Sequence, residues 1–284
     1  MKHIICTATA LLLLLIAGAA HAQDTATSKK KKSHEVSISN RGIFFKTIDS
    51  ARKAADTQPK KEKKFTSSMM LDLGLINMQD NTDYTSASVR SYLNVPATQQ
   101  NKNLFDLKTK SVYVNYYPWL ESFKALKKHG QKIYVTSGLG FQFYNLRYEN
   151  NITYTRNPST IIMDTLKFSK NKIGLDYLNV PLMFTFKTRL NANPGHPHRE
   201  KWLVYGVGVT EGYRIASWSK QVSGEMGKVK FHSPFNFADF NTCLSAEIGL
   251  EDYIRFFVSY QVTSLYNSGI DQHPVGIGLR ISGI

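Results

Sequence analysis

Tyr177-Leu178-Asn179-Val180-Pro181-Leu182-Met183-Phe184-Thr185-Phe186-Lys187 is the stretch that decides the fold of this chain. Leu178, Val180, Leu182, Phe184 and Phe186 alternate with Tyr177, Asn179, Pro181, Met183, Thr185 and Lys187. Residues 190–198 then supply turn formers, and a second alternating run follows. In it Leu203, Tyr205, Val207 and Val209 oppose Val204, Gly206, Gly208, Thr210 and Gly212. A period of two puts one set on each face of a strand. In a soluble sandwich the apolar face would be the core. Here the other face carries small, polar and charged groups and the strands are long. That combination predicts a closed barrel with lipid outside and a packed polar interior.

The same rhythm extends over the chain from Phe65 and predicts eight strands. The first covers 66–78, with Met69, Leu71, Leu73 and Leu75 outward and Asp72 and Gly74 inward. The second is placed at 104–117, with confused alternation around Lys108 to Val112 that points to a bulge or a misplaced boundary. The third, 131–148, sets Ile133, Val135, Leu139, Phe141 and Phe143 against Thr136, Gly138, Gly140 and Gln142. After the hairpin quoted above come 238–250, 253–264 and 274–282. Glu121 to Gly130 is read as a short connection with a helical turn. The polar segments 79–103, 149–171, 219–237 and 265–273 are read as loops at one end of the barrel, with shorter turns at the other. Pro181 lacks an amide hydrogen for the ladder, so a bulge or a water-bound facing carbonyl is expected there.

The first residues carry a different signal. Met1-Lys2-His3, the apolar run Leu11 to Ala20 and the small-x-small triplet Ala20-His21-Ala22 fit a cleaved export signal over 1–22. Cleavage there leaves Cys243 as the one cysteine, so no internal disulfide forms. A mean hydropathy of −0.30 excludes a bundle of membrane helices but not a barrel, in which only alternate residues meet lipid. Residues 24–64 hold twelve Lys or Arg against five Asp or Glu. Lys29, Lys30, Lys31, Lys32, Lys60, Lys61, Lys63 and Lys64 make segment 23–64 a basic, largely disordered tether before a barrel at 65–284. Ile43, Phe44, Ile48, Ala51 and Ala55 could share a helical face within it. The tether suits acidic envelope material or an envelope protein. Nucleic acid is not expected, because no base-stacking motif accompanies the lysines.

The chain resembles the PorT-type outer-membrane β-barrel proteins of Bacteroidetes. The resemblance rests on Tyr177-Leu178-Asn179-Val180-Pro181-Leu182 leading into Phe186-Lys187-Thr188-Arg189, and on Gly212-Tyr213-Arg214-Ile215-Ala216-Ser217 with Lys220. The closing Pro274-Val275-Gly276-Ile277-Gly278-Leu279 is similar to that family's last strand. It covers 65–284 and implies an all-β, eight-stranded antiparallel up-and-down transmembrane barrel in the outer membrane. Some relatives assist protein export across that membrane. Ile284 departs from the aromatic C-terminus common in such barrels, and the basic extension is not part of the family core.

Candidate chemistry is sparse. Asp72, Glu247, Arg255 and Arg280 share the inward parity and are expected to form a charge network filling a closed lumen. Both chain ends are then expected in the periplasm, since the strand number is even. His196-x-His198 with Glu200 is read as a solvated turn rather than a metal site. Ser233, His232 and Asp239 in one loop would suit a lipid-modifying enzyme, but no oxyanion hole accompanies them. Gly206-Val207-Gly208 lies inside a strand, and no phosphate-binding loop is present, so no cofactor is expected. Trp119, Trp202 and Trp218 are placed at strand ends as interfacial anchors. The reading is a monomeric, non-enzymatic envelope scaffold. Its alternative is a soluble periplasmic lipid-binding barrel, with Leu182, Phe184, Val258 and Leu279 turned inward.

Overall fold

Alternation over this many residues lets each strand satisfy its backbone through two neighbours while keeping its two faces chemically distinct. The computed structural model describes residues 33–39, 42–48, 64–128, 130–190, 201–251 and 254–283. The strands are β1 (Ser33–Ser39), β2 (Gly42–Ile48), β3 (Phe65–Asp80), β4 (Leu93–Asn94), β5 (Val112–Lys128), β6 (Gln131–Arg147), β7 (Ile152–Tyr154) and β8 (Ile161–Met163). They continue as β9 (Phe168–Arg189), β10 (Trp202–Ser223), β11 (Gly227–His232), β12 (Phe240–Leu250), β13 (Arg255–Gln261) and β14 (Gln272–Ser282). A single turn of helix, α1 (Ala87–Tyr92), precedes β4.

Eight of these strands close a ring in the order β10-β12-β13-β14-β3-β5-β6-β9, with β9 pairing back to β10. All the ring's pairings are antiparallel. The seam between the first and last ring strands runs from Gln272 opposite Asp80 to Ser282 opposite Met70. β9 and β10 have 22 residues each, about twice what a tilted strand needs to cross a bilayer. Their upper ends therefore rise beyond the rest of the ring. There β11 adds to β10, with Lys220 opposite Lys230. The connections on that upper end are long. On the lower end β5 and β6 meet in a tight turn at Gly130, whose φ of 79° is one that glycine adopts freely.

Several sequence expectations are corrected. The second ring strand spans Val112–Lys128 rather than 104–117, and Glu121 to Lys128 is strand, not a helical connection. The bulge lies at Tyr117-Pro118, where Tyr116 faces Phe141 and Trp119 faces Leu139. It reverses the inward parity from Tyr113, Asn115 and Tyr117 to Leu120 and Ser122. Pro181 causes no register shift in β9; it pairs with Thr210 on one side, and the β6 ladder skips from Ser137 to Gly140 on the other. Gly42–Ile48 is a strand in a two-stranded sheet with β1, not the helix proposed around Ile43, Phe44 and Ile48. Ala51 and Ala55 lie outside the described residues, as do the export signal and the lysines Lys29–Lys32, Lys60, Lys61 and Lys63.

The segments read as polar loops also differ. They fold over the upper end as a cap built from α1, a short sheet of β4, β8 and β7, and the turns before β5, β12 and β14. Val89, Tyr92, Leu93, Leu104, Phe105, Ile152, Tyr154, Ile161, Phe235, Phe237, Leu265 and Tyr266 are buried there. Their cluster continues into the upper interior through Ile76, Tyr113, Tyr144, Leu175 and Tyr177.

Candidate functional site

The interior is organised by one row of the ladder. Gln142 on β6, Asn115 on β5, Asp72 on β3, Arg280 on β14 and Arg255 on β13 are successive Cα partners around five strands. Each has inward parity, so five polar side chains stand side by side within the ring. Two guanidinium groups are thereby placed directly opposite, which destabilises a sheet unless something lies between them. Glu247, reaching in from β12, does so. Its Oε2 accepts from Arg255 Nη1 at 3.3 Å and from Arg280 Nη1 at 3.4 Å. Gly206 beside it has no Cβ, which would stand 3.1 Å from Glu247 Oε1.

Arg280 is also held across the seam by a two-pronged pair. Its Nε donates to Asp72 Oδ1 at 2.6 Å and its Nη2 to Asp72 Oδ2 at 2.8 Å. Fork-to-fork pairing of this kind is the strongest ordinary ion contact. Asp72, Glu247, Arg255 and Arg280 are all at most 5 % exposed, and their formal charges sum to zero. Charges so far from water persist only when paired and hydrogen-bonded, and these are.

Neutral polar groups continue the row upward. Asn115 Nδ2 donates to Asp72 and to Tyr113 Oη, which donates to Ser259 Oγ at 3.0 Å. Asn241 Nδ2 donates to Gln142 Oε1 at 2.7 Å. Tyr144 Oη donates to Gln261 Oε1 and lies 3.5 Å from the buried Cys243 Sγ, a free thiol. Above this layer the cap is bound together by phenols. Tyr154 Oη contacts Tyr148 at 2.8 Å and Tyr266 at 2.7 Å, and Tyr92 Oη donates to the Phe235 carbonyl. Burial pushes the hydroxyls of Tyr92, Tyr154 and Tyr266 above the ordinary tyrosine range. Near the lower rim Lys187 meets Glu251 at 2.7 Å and Ser122 meets Thr136.

The outer face is the chemical opposite. Leu73, Leu75, Phe143, Phe184, Val207, Tyr213, Phe240, Leu244, Ile248, Val258, Ile277 and Leu279 all stand exposed, Phe240 and Phe256 by 66 %. Leu182, Phe184, Val258 and Leu279, which a lipid-binding barrel would turn inward, have outward parity in the ring. Trp119 lies within β5 rather than at its end, and its indole N–H reaches Glu121. Trp202 starts β10 beside Lys132, and Trp218 lies outward near the upper end of β10.

The Ser233, His232 and Asp239 group does not converge. Asp239 is paired with Arg214, and the Ser233 carbonyl accepts from Ser217, with no hydrogen bond joining the three among the described residues. His196, His198 and Glu200 lie outside the described residues. Lys64 is described; its carbonyl accepts from the Lys124 amide. The residues that sequence reasoning missed are those of the cap, scattered without a period, and Asn115, whose inward parity is concealed by the confused alternation of the second strand.

A closed ring with an apolar exterior and a buried, charge-balanced interior defines a transmembrane β-barrel. No family model matches the chain, and no curated protein does. Among solved structures it is similar to Ail, the attachment invasion locus protein of Yersinia pestis. That match has 10 % identity and a TM-score of 0.26, and covers 76 % of this chain and 97 % of Ail.

Proposed function

We propose that this chain is an outer-membrane barrel of the PorT type that acts as a non-enzymatic envelope scaffold. The observation that carries the membrane reading is the largely apolar outer face, set against an interior in which Asp72, Glu247, Arg255 and Arg280 pair with one another. A water-soluble barrel would leave this face in solvent at large cost. In this reading the charge row and the cap close the lumen, and the working surfaces are the cap and the basic segment before β3. In this reading the ends of the chain lie in the periplasm and the cap faces outward. The lysine-rich segment 23–64 then binds an acidic envelope or secretion-system protein, and the barrel acts as a monomer.

The test is membrane fractionation of the expressed chain followed by electrophoresis with and without boiling. Outer-membrane enrichment with faster migration before boiling is expected. Recovery in the soluble periplasmic fraction would overturn the membrane reading. Pull-downs with and without residues 24–64 then test the scaffold role, with partner loss expected on deletion.

A further inference from the structure

The upper ends of β6, β9, β10 and β11 carry a cluster of cations that the barrel itself does not use. Lys172 is the Cα partner of both Arg147 and Lys220, and Lys220 is the partner of Lys230. Val222 is the partner of Lys170 and Lys228. Direct partners share a face. Ile173, Ser219 and Gln221 between them are buried, so the six cations all project from the outer face. Asp176, also on this face, and Glu225 in the β10–β11 turn leave the patch strongly cationic. Facing like charges of this number weaken a sheet, and packing of the barrel does not require them.

Trp218 marks the level of the patch. Lys172 Nζ and Lys230 Nζ lie 4.8 Å and 4.6 Å from its ring centroid, one from each flanking strand. The indole rests on Gly174, where a Cβ would stand 2.1 Å from Trp218 Cε2. Only glycine leaves room for the ring. Phe143, Leu178, Tyr213 and Phe240 end the apolar face just below. An outward tryptophan immediately above such a belt sits at the headgroup level, and the lysines stand at and above it. Arg147 Nε is buried without an acceptor among the described residues.

We propose that this face binds the phosphate groups of a lipid in the surrounding leaflet, an inference that rests on the membrane reading above. The indole lies against the acyl-sugar boundary, the paired lysines hold phosphate oxygens as point charges, and Arg147 adds a directional donor. The probe is diphosphorylated lipid A, doped into phosphatidylcholine nanodiscs that hold the full-length chain. Lipid retained by the protein is read by native mass spectrometry after release from the disc. Wild type should enrich lipid A, and K172Q/K220Q/K230Q should retain it about 100-fold less well. Trp218→Leu should weaken retention with the cations intact. K124Q/K127Q/K132Q, at the opposite rim, should match wild type.

Equal retention by the upper-rim triple variant would overturn the proposal, as would an equal loss in the lower-rim variant. Displacement of lipid A by inorganic pyrophosphate at equal concentration would also overturn it, by making the ligand a free anion. Heat-modifiability of each variant shows that the barrel has formed. A chain that never inserts refutes the membrane reading itself. An inserted barrel that ignores lipid A refutes this inference alone.

Discussion

Glu247 is the residue on which the interior depends most, because it alone separates two facing guanidinium groups. Glu247→Gln leaves Arg255 opposite Arg280 with no negative charge between them, and Asp72, on the far side of Arg280, is the one carboxylate left in the row. The expected loss is about 3–5 kcal/mol, the usual result of breaking a buried pair by removing one partner. It would be read as a lower urea midpoint for unfolding of the detergent-folded barrel. Asp72→Asn should cost a similar amount, whereas the double change of Asp72 to Asn and Arg280 to Met should recover much of it. If the double variant were no more stable than the single one, charge balance would not be what the row provides. The inward placement of Asp72, Glu247, Arg255 and Arg280 was legible in the sequence, since alternation on their strands is strict. That Arg255 faces Arg280 was not, because it depends on register between strands, which no single strand carries.

Among the elements, β5 and the cap show where reading the sequence stops. The Tyr117-Pro118 bulge reverses parity halfway along β5, so a single period-two template fits only half of it. Read by that template the strand ends at Tyr117, eleven residues short of Lys128. In sequence the cap reads as polar loops, because Val89, Tyr92, Leu104, Phe105, Tyr154 and Phe237 recur with no period. They are brought together only by tertiary packing of separate segments. Its phenols predict an alkaline weakness. Burial raises Tyr92, Tyr154 and Tyr266 above their ordinary value of 10.0, so the folded cap favours the neutral phenol. That contribution is complete below pH 10.0 and is lost as pH climbs past it. Tyrosinate absorbance should therefore rise together with protease cleavage of segment 79–111, while the barrel stays heat-modifiable. Cleavage that is flat across this range would refute the coupling. Tyr154→Phe, which deletes hydrogen bonds to Tyr148 and Tyr266, should lower cap protection by about 1–3 kcal/mol in hydrogen exchange.

For the molecule as a whole, two layers of side chains fill the interior, the aromatic cap above and the charge row below, and together they predict a closed lumen. Planar-bilayer recordings should show no stable large conductance for the wild type. Removing residues 82–106, the part of the cap that carries α1 and β4, should leave the bilayer still non-conducting because the charge row remains. A steady open channel in that variant would show that this part of the cap, and not the charge row, seals the barrel. Eight strands leave an interior that side chains can fill, so closure follows from strand number before any particular residue is considered.

The seam between β3 and β14 gives the chain a means of checking its own completion. To the interior row, strands β12 to β14 bring Glu247, Arg255 and Arg280, an excess of one positive charge, while β3 brings Asp72. Until the first and last ring strands meet, an unfinished sheet carries opposite charges on its two open edges. Those edges attract, and only one alignment satisfies both prongs of the Asp72–Arg280 fork. A slip by one residue would turn Arg280 out into lipid. Electroneutrality is thus reached at the moment the barrel shuts, and a polypeptide truncated before Arg280 has no way to reach it.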